Sequence, residues 1–177
     1  MSPSNKNMHI ETIDAPWRAL ELALAMHGSS PLNPPATMEA IEQLQRHVAI
    51  ALPQDYVDSL RLHDGQAANT PWLFPEGELL SSSRVMRRWS IWHDLWQSGE
   101  LSEVAAIADD GILPTWWHPG WIPFTYNGAG DHLCVDMSPA PGGTVGQVIT
   151  LWHDDGKRTR VAHSFAEWFT HAVAQRY

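Results

Sequence analysis

The 177-residue chain reads as an α+β protein, with an antiparallel or mixed sheet of about four to six strands flanked by helices. Three observations predict this. Apolar residues recur at helical spacing through the first half, at Trp17, Leu20 and Leu24, at Met38, Ile41, Leu44 and Val48, and at Met86, Trp89, Trp92 and Trp96. From residue 121 to 163 the pattern shortens to strand-length runs separated by Asn127-Gly128 and by Asp154-Asp155-Gly156-Lys157, residue types that turn hairpins. The chain then closes on Ser164-Phe165-Ala166-Glu167, a capping box that opens a helix with Phe165, Trp168, Phe169 and Val173 on its apolar side. Helices first, a meander next and a helix last is the segregated order of an α+β fold.

Each element has a local reason. Residues 1–13 are polar and read as a flexible N-terminus, and 14–177 as one domain. Asp14 offers an N-cap and Gly28 a C-cap, which predicts a first helix over about 14–27. The proline-rich segment 29–35 breaks it. Thr37 caps a second helix, and Pro53 and Asp55 suit the first turn of a short third one that ends at Gly65. Residues 66–83 form a loop with a short strand at Glu78-Leu79-Leu80, and Ser81-Ser82-Ser83 caps a long helix that runs to Gly99. The acidic stretch 102–110 predicts one more helical turn. The runs 121–126 and 132–137 form a central hairpin. The run 145–153, with Val145, Val148 or Ile149, and Leu151 on its buried side, is followed by a partner strand over 158–163.

Composition narrows the function. Ten tryptophans, each able to bury on the order of 200 Å², require a Trp-rich core or an exposed aromatic groove, and the face at 86–96 fits either. A formal charge of −9 with 11 basic residues argues against direct binding of nucleic acid. It suits a surface that meets a basic protein, with Glu76, Glu78, Asp109, Asp110, Asp154 and Asp155 as an exposed acidic rim. A single cysteine, no signal-peptide pattern and no membrane-length apolar run point to the cytoplasm.

No catalytic set stands out, and no cofactor is expected. His-Asp pairs at 63–64, 93–94 and 153–154 suggest a metal phosphohydrolase, but they fall at a helix end, mid-helix and in a turn. His118, His132 and Asp136 are the alternative ligands for a metal-dependent hydrolase, although their spacing lacks the specificity of a zinc motif. Asp131, following Gly130, is better read as an acceptor for turn N–H groups, and Asp136 as a cap on the strand exit. Cys134 has no neighbouring base, and no serine lies in a G-x-S-x-G elbow.

An ordered series of residues carries a resemblance. Leu52-Pro53-x-Asp55-Tyr56 and Asp64-Gly65 come first, then Trp121-x-Pro123-Phe124 and Gly130-Asp131-x-x-Cys134-x-Asp136. Gly146-x-Val148-Ile149, His153-Asp154 and Ala162-x-Ser164-Phe165-x-Glu167-Trp168-Phe169 complete it. The series resembles the SUKH superfamily, strongest over 37–169, which takes in Smi/Knr-type regulators of fungal cell-wall synthesis and bacterial immunity proteins. The resemblance implies an α+β binding domain without catalysis. With the charge, it implies an immunity protein that blocks a cognate toxin domain, possibly a nuclease, by direct contact. The alternative is a regulatory scaffold in cell-wall synthesis or stress. The residues Pro53, Tyr56, Gly65, Trp121, Pro123, Gly130, Asp131, Asp136, Gly146, Ser164 and Glu167 stand as its structural signature.

Overall fold

Amphipathic helices and doubly buried strands close around one aromatic core. The computed structural model describes residues 6–28 and 30–177. Among them the helices are α1 (Lys6–Met26), α2 (Met38–Val48), α3 (Gln54–Leu62), α4 (Ser82–Gln97) and α5 (Phe165–Arg176). The strands are β1 (Glu78–Leu79), β2 (Ile107–Ala108), β3 (Trp121–Pro123), β4 (Thr125–Tyr126), β5 (His132–Asp136), β6 (Gln147–Leu151), β7 (Lys157–Arg158) and β8 (Arg160–Ala162). This is the expected α+β architecture.

The main sheet has the order β3-β5-β6-β8 and is antiparallel throughout. Trp121 pairs with Asp136, and Cys134 lies between Pro123 and Ile149. Every residue of β5 and β6 is buried, so both faces of the sheet centre are covered. Helix α5 packs on β6 and β8, and α4 on β3, while α1 rests on α3 and α5. The rings of Phe124, Phe165, Trp168 and Phe169 meet in this layer; Phe124 and Trp168 have centroids 4.8 Å apart.

Four local expectations change. Helix α1 begins at Lys6 rather than Asp14, so residues 6–13 of the stretch read as flexible are helical, and residues 1–5 lie outside the described residues. Pro16 stands inside this helix, where its missing N–H is costly, yet Ile13, Trp17, Leu20 and Leu24 are all buried around it. Asp14 is no cap and instead pairs with Arg18 at 2.7 Å. Residues 102–110 hold β2, not a helical turn: Ile107 pairs with Lys157 in parallel, a contact between segments fifty residues apart. Val145 is 59% exposed, and β6 starts after it.

The central hairpin is also wider than a two-residue turn. Asn127 N–H donates to the Asp131 carbonyl at 3.2 Å, closing a loop over 127–131, and Thr125 and Tyr126 leave the main sheet to pair with β1. The tryptophans settle mainly in the core. Trp17, Trp89, Trp92, Trp117, Trp121 and Trp168 are buried, so the face at 86–96 is core for Trp89 and Trp92, while Trp96 remains 44% exposed.

Candidate protein-binding surface

The loop over 127–131 and the segment over 152–156 are joined by side chains that the sequence places at their corners. Asp131 Oδ1 accepts from the His153 backbone N–H at 2.9 Å and from His153 Nδ1 at 2.8 Å, while Oδ2 accepts from the Asn127 amide at 2.7 Å. Asn127 Oδ1 in turn accepts the N–H groups of Ala129 and Asp131. Gly130 adopts φ 124°, and a Cβ there would lie 2.9 Å from His153 Cβ, so only glycine lets the imidazole reach Asp131. Burial alone would raise the Asp131 pKa, but the hydrogen bonds from His153 and Asn127 hold it below its ordinary value. The same hydrogen bond raises that of His153.

Beside this brace lies a hollow of about 270 Å³, walled by Glu76, Asn127, Asp131, Trp152, Asp154 and Asp155. It gathers three of the six acidic residues expected on the rim. Asp154 and Asp155 are exposed, and Glu76 is half-buried. Asp109 and Asp110 are exposed on another segment, where Asp109 accepts the Arg160 N–H at 3.1 Å. Glu78 is corrected: it is buried and holds Arg84 through both carboxylate oxygens, because its strand position turns it toward the α4 N-terminal turn. That leaves it no part in an exposed rim.

The three candidate metal ligands do not converge: His118 and Asp136 lie near enough for each charge to shift the other's pKa, but His132 stands apart from them. His132 and Asp136 are four residues apart on the same face of β5, roughly 13 Å at ~3.3 Å per residue. His132 Nδ1 is 2.6 Å from the Thr125 carbonyl, and burial lowers its pKa to about 4. His118 Nδ1 accepts the Gly120 N–H at 3.0 Å, while Asp136 accepts from Gln147 Nε2 and Ser138 N–H, both at 2.9 Å. Asp131, His153 and Asp154 do each place one ligand atom within 4.8 Å of the others. Hydrogen bonds already occupy Asp131 Oδ1, which accounts for that cluster as a loop brace. Cys134 is fully buried, which pushes its thiol pKa well up and keeps it un-ionised.

A model of the SMI1 / KNR4 family (SUKH-1) matches residues 35–171. The chain belongs to this family. It is 29% identical over 148 residues to the cell wall biosynthesis/cell cycle regulator smi1 of Schizosaccharomyces pombe, covering 75% of this chain and 29% of that protein. It is 21% identical over 191 residues to the cell wall assembly regulator SMI1 of Saccharomyces cerevisiae, covering 86% and 38%. A glucan synthesis regulatory protein of Neurospora crassa is 24% identical over 171 residues, covering 75% and 32%. The chain therefore spans between 29% and 38% of the length of these relatives.

Within this SMI1/KNR4 domain the signature residues are joints. Pro53 is the N-cap of α3, and Gly146 packs near it at φ 90°. Tyr56 is buried against Phe124 and Phe165. Gly65 adopts φ 65°, and a Cβ would fall 2.5 Å from the Leu80 backbone. Trp121 and Pro123 pair with β5, and Ser164 Oγ accepts the Glu167 N–H at 3.1 Å, as the capping box predicts.

Sequence reasoning missed three partners of these joints. Asp55 reaches across 111 residues to accept the Ala166 N–H at 2.9 Å in the first turn of α5. Asp64 Oδ1 accepts the Ser82 N–H at 2.6 Å, so it caps α4 where Ser81 was expected to; Ser81 makes no capping bond. Arg158, 0% exposed, donates to the Trp116 carbonyl at 2.8 and 3.2 Å and to the Asp155 carbonyl at 2.6 Å, tying the 152–156 segment to the core. A buried acid inside L-P-x-D-Y was the available signal for the first. No helix among the described residues is long and apolar enough to cross a membrane.

Proposed function

We infer that this chain is a non-enzymatic protein-binding domain with a regulatory role of the kind its fungal relatives' names describe, in cell-wall synthesis or assembly. The family match over 35–171 carries the reading. The surface geometry supports it: the loop brace, the hollow and the capped joints between elements fix shape, and His118, His132 and Asp136 do not converge on a reactive centre. Affinity capture with the full chain as bait tests it. Wild type is expected to retain a defined set of wall-synthesis or signalling proteins, and an Asp154→Lys/Asp155→Lys variant with unchanged melting to lose some of them. Retention of the same set by both would remove the hollow from the interface, and absence of any saturable partner would remove the reading.

A second reading keeps one observation of its own. The charge of −9 and the acidic hollow fit a basic partner such as a nuclease toxin domain, which an immunity protein would neutralise. The named relatives favour the regulator. Co-expression with the product of the adjacent open reading frame separates the two, since only the immunity reading expects rescue of growth.

A further inference from the structure

On the other side of the Asp131–His153 brace, a pocket of about 370 Å³ opens between α4 and the loop over 127–131. Its walls include Arg88, Ile91, Trp92, Trp116, His132 and His153. Arg88, Ile91, Trp92 and Leu95 follow one another at i, i+3, i+4 and i+7, so one stripe of α4 forms a whole wall. Nothing in the proposed regulatory reading uses this pocket.

Its polar groups are few and specific. The Arg88 guanidinium lies 3.5 Å above the Tyr126 ring centroid, and Tyr126 is itself stacked on His132 with centroids 5.3 Å apart. Among the described residues no carboxylate lies within ion-pair distance of Arg88, in contrast to Arg84 one turn earlier, which is held by Glu78. A guanidinium held over an aromatic ring by cation–π attraction still has N–H donors to offer a carboxylate. His153 carries positive charge only together with its own counter-ion, Asp131. Glu100 stands at the mouth, where it accepts the Ser98 hydroxyl at 3.0 Å.

His132 adds a directional acceptor. Its Nδ1 must donate to the Thr125 carbonyl, so Nε2 is the neutral ring's one acceptor, on a lining side chain that is itself 1% exposed. Burial and the nearby Arg88 keep this ring unprotonated at neutral pH, with a pKa of about 4. Apolar walls, one unpaired guanidinium and one imidazole acceptor together describe the complement of an aromatic side chain that can donate a hydrogen bond and has an acid beside it.

We propose that this pocket docks a Tyr or Trp side chain, flanked by Asp or Glu, from an extended segment of a protein partner, with the carboxylate on Arg88 and the ring between Trp92 and Trp116. This rests on the reading of the chain as a protein-binding domain and names the chemistry of its partner. Tyr and Trp are the residue types that most often anchor such interfaces, and the charge complement is local, opposite in sign to the neighbouring hollow. The partner surface is thereby expected to carry an acidic aromatic anchor beside a basic patch.

The test is selection of random twelve-residue peptides displayed on phage against the full chain. Survivors are then measured as labelled peptides by fluorescence polarisation on wild type, Arg88→Glu and Ile91→Glu. Ile91 is 44% exposed, so Glu there places a carboxylate at the mouth without disturbing the core. Selected peptides are expected to share Tyr or Trp within two positions of Asp or Glu. They are expected to bind both variants at least tenfold more weakly, and to lose affinity when the ring is changed to Phe. Thermal melts verify folding, and if Arg88→Glu unfolds, Ile91→Glu decides alone. Survivors without that pattern, or equal affinity for wild type and Ile91→Glu, overturn the pocket assignment. That outcome leaves the protein-binding reading standing, because the Asp154→Lys/Asp155→Lys capture experiment uses neither residue.

Discussion

Asp55 shows how one side chain can hold two helices. Its Oδ1 accepts the Tyr56 N–H at 2.8 Å inside α3, and its Oδ2 accepts the Ala166 N–H in α5, next to the Ser164 cap on Glu167. The negative charge also sits at the positive end of α5. Asp55→Ala leaves two buried donors without acceptors, at about 1–3 kcal/mol each. Denaturant unfolding is expected to show a loss of about 2–5 kcal/mol with unchanged m, and a loss under 1 kcal/mol would mean that water replaces the carboxylate. Asp131 is the second informative residue, and there pH separates the contributions. The lowered Asp131 pKa stabilises the fold above its ordinary unfolded value near 3.8 and is lost as pH falls through the folded value. The raised His153 pKa stabilises below about 6.5 and is lost as pH rises through the folded value. The brace is therefore at full strength between about pH 4 and 6.5. In Asp131→Asn, an NMR titration is expected to show the His153 pKa falling back toward its ordinary value. If it does not move, Asp154 rather than Asp131 holds the ring.

At the scale of elements, what could be read in the sequence was whatever a single segment decides. The Thr37 cap and the Ser164–Glu167 box are local and appear as expected, with Thr37 Oγ1 accepting the Ala40 N–H at 3.1 Å; of the α2 stripe Ile41, Leu44 and Val48 are buried, while Met38 in the first turn is 52% exposed. Pairings between distant segments were not legible. The parallel contact of β2 with β7 involves two residues on each strand, too few to leave an alternation, and the Arg158 side chain of β7 bonds the Trp116 carbonyl, 42 residues away in sequence. The start of α1 was misplaced because Asp14-Ala15-Pro16 carries an ordinary helix-start signature that tertiary burial of Ile13 and Trp17 overrides. Helix α4 gives a direct test of what its tryptophans do. Trp89 is buried against Trp117 and donates to the Pro119 carbonyl at 2.9 Å, whereas Trp96 is 44% exposed. Trp89→Ala is expected to cost about 3–5 kcal/mol and Trp96→Ala about 1 kcal/mol or less, measured by thermal and denaturant unfolding. Equal costs would mean that the two rings share the core. The joint after α3 is as strict. Gly65→Ala combines a left-handed backbone, at roughly 1–3 kcal/mol, with a contact 2.5 Å from the Leu80 backbone, so the variant is expected to fall short of wild-type stability by at least that amount.

For the whole molecule, the ordered SUKH-type series was legible because its members are corners and caps whose chemistry is local, even though the partners of those corners are not. The candidate surface was only half legible. Asp154 and Asp155 announced themselves as a turn, and Asp131 as an acceptor for turn N–H groups after Gly130, but nothing in one dimension says that the N–H it takes is that of His153, that Glu76 joins them or that Glu78 turns inward to Arg84. The resulting surface is bipolar: an acidic hollow on one side of the Asp131–His153 brace and the Arg88 pocket on the other. A net charge of −9 adds a long-range field to this pattern. Exposed charges act over about a Debye length, ~10 Å at 0.1 M salt, so the field governs encounter more than the lifetime of a complex. Association of a basic partner, followed by stopped-flow Trp fluorescence, is expected to slow by about tenfold or more between 20 mM and 300 mM salt, with dissociation changing much less. Asp154→Asn/Asp155→Asn is expected to flatten that salt dependence, whereas Ile91→Glu is expected to speed dissociation and leave the salt slope of association in place. If the salt slope survives neutralisation of the hollow, steering comes from the molecule's overall charge, and the hollow is a consequence of the turn that builds it.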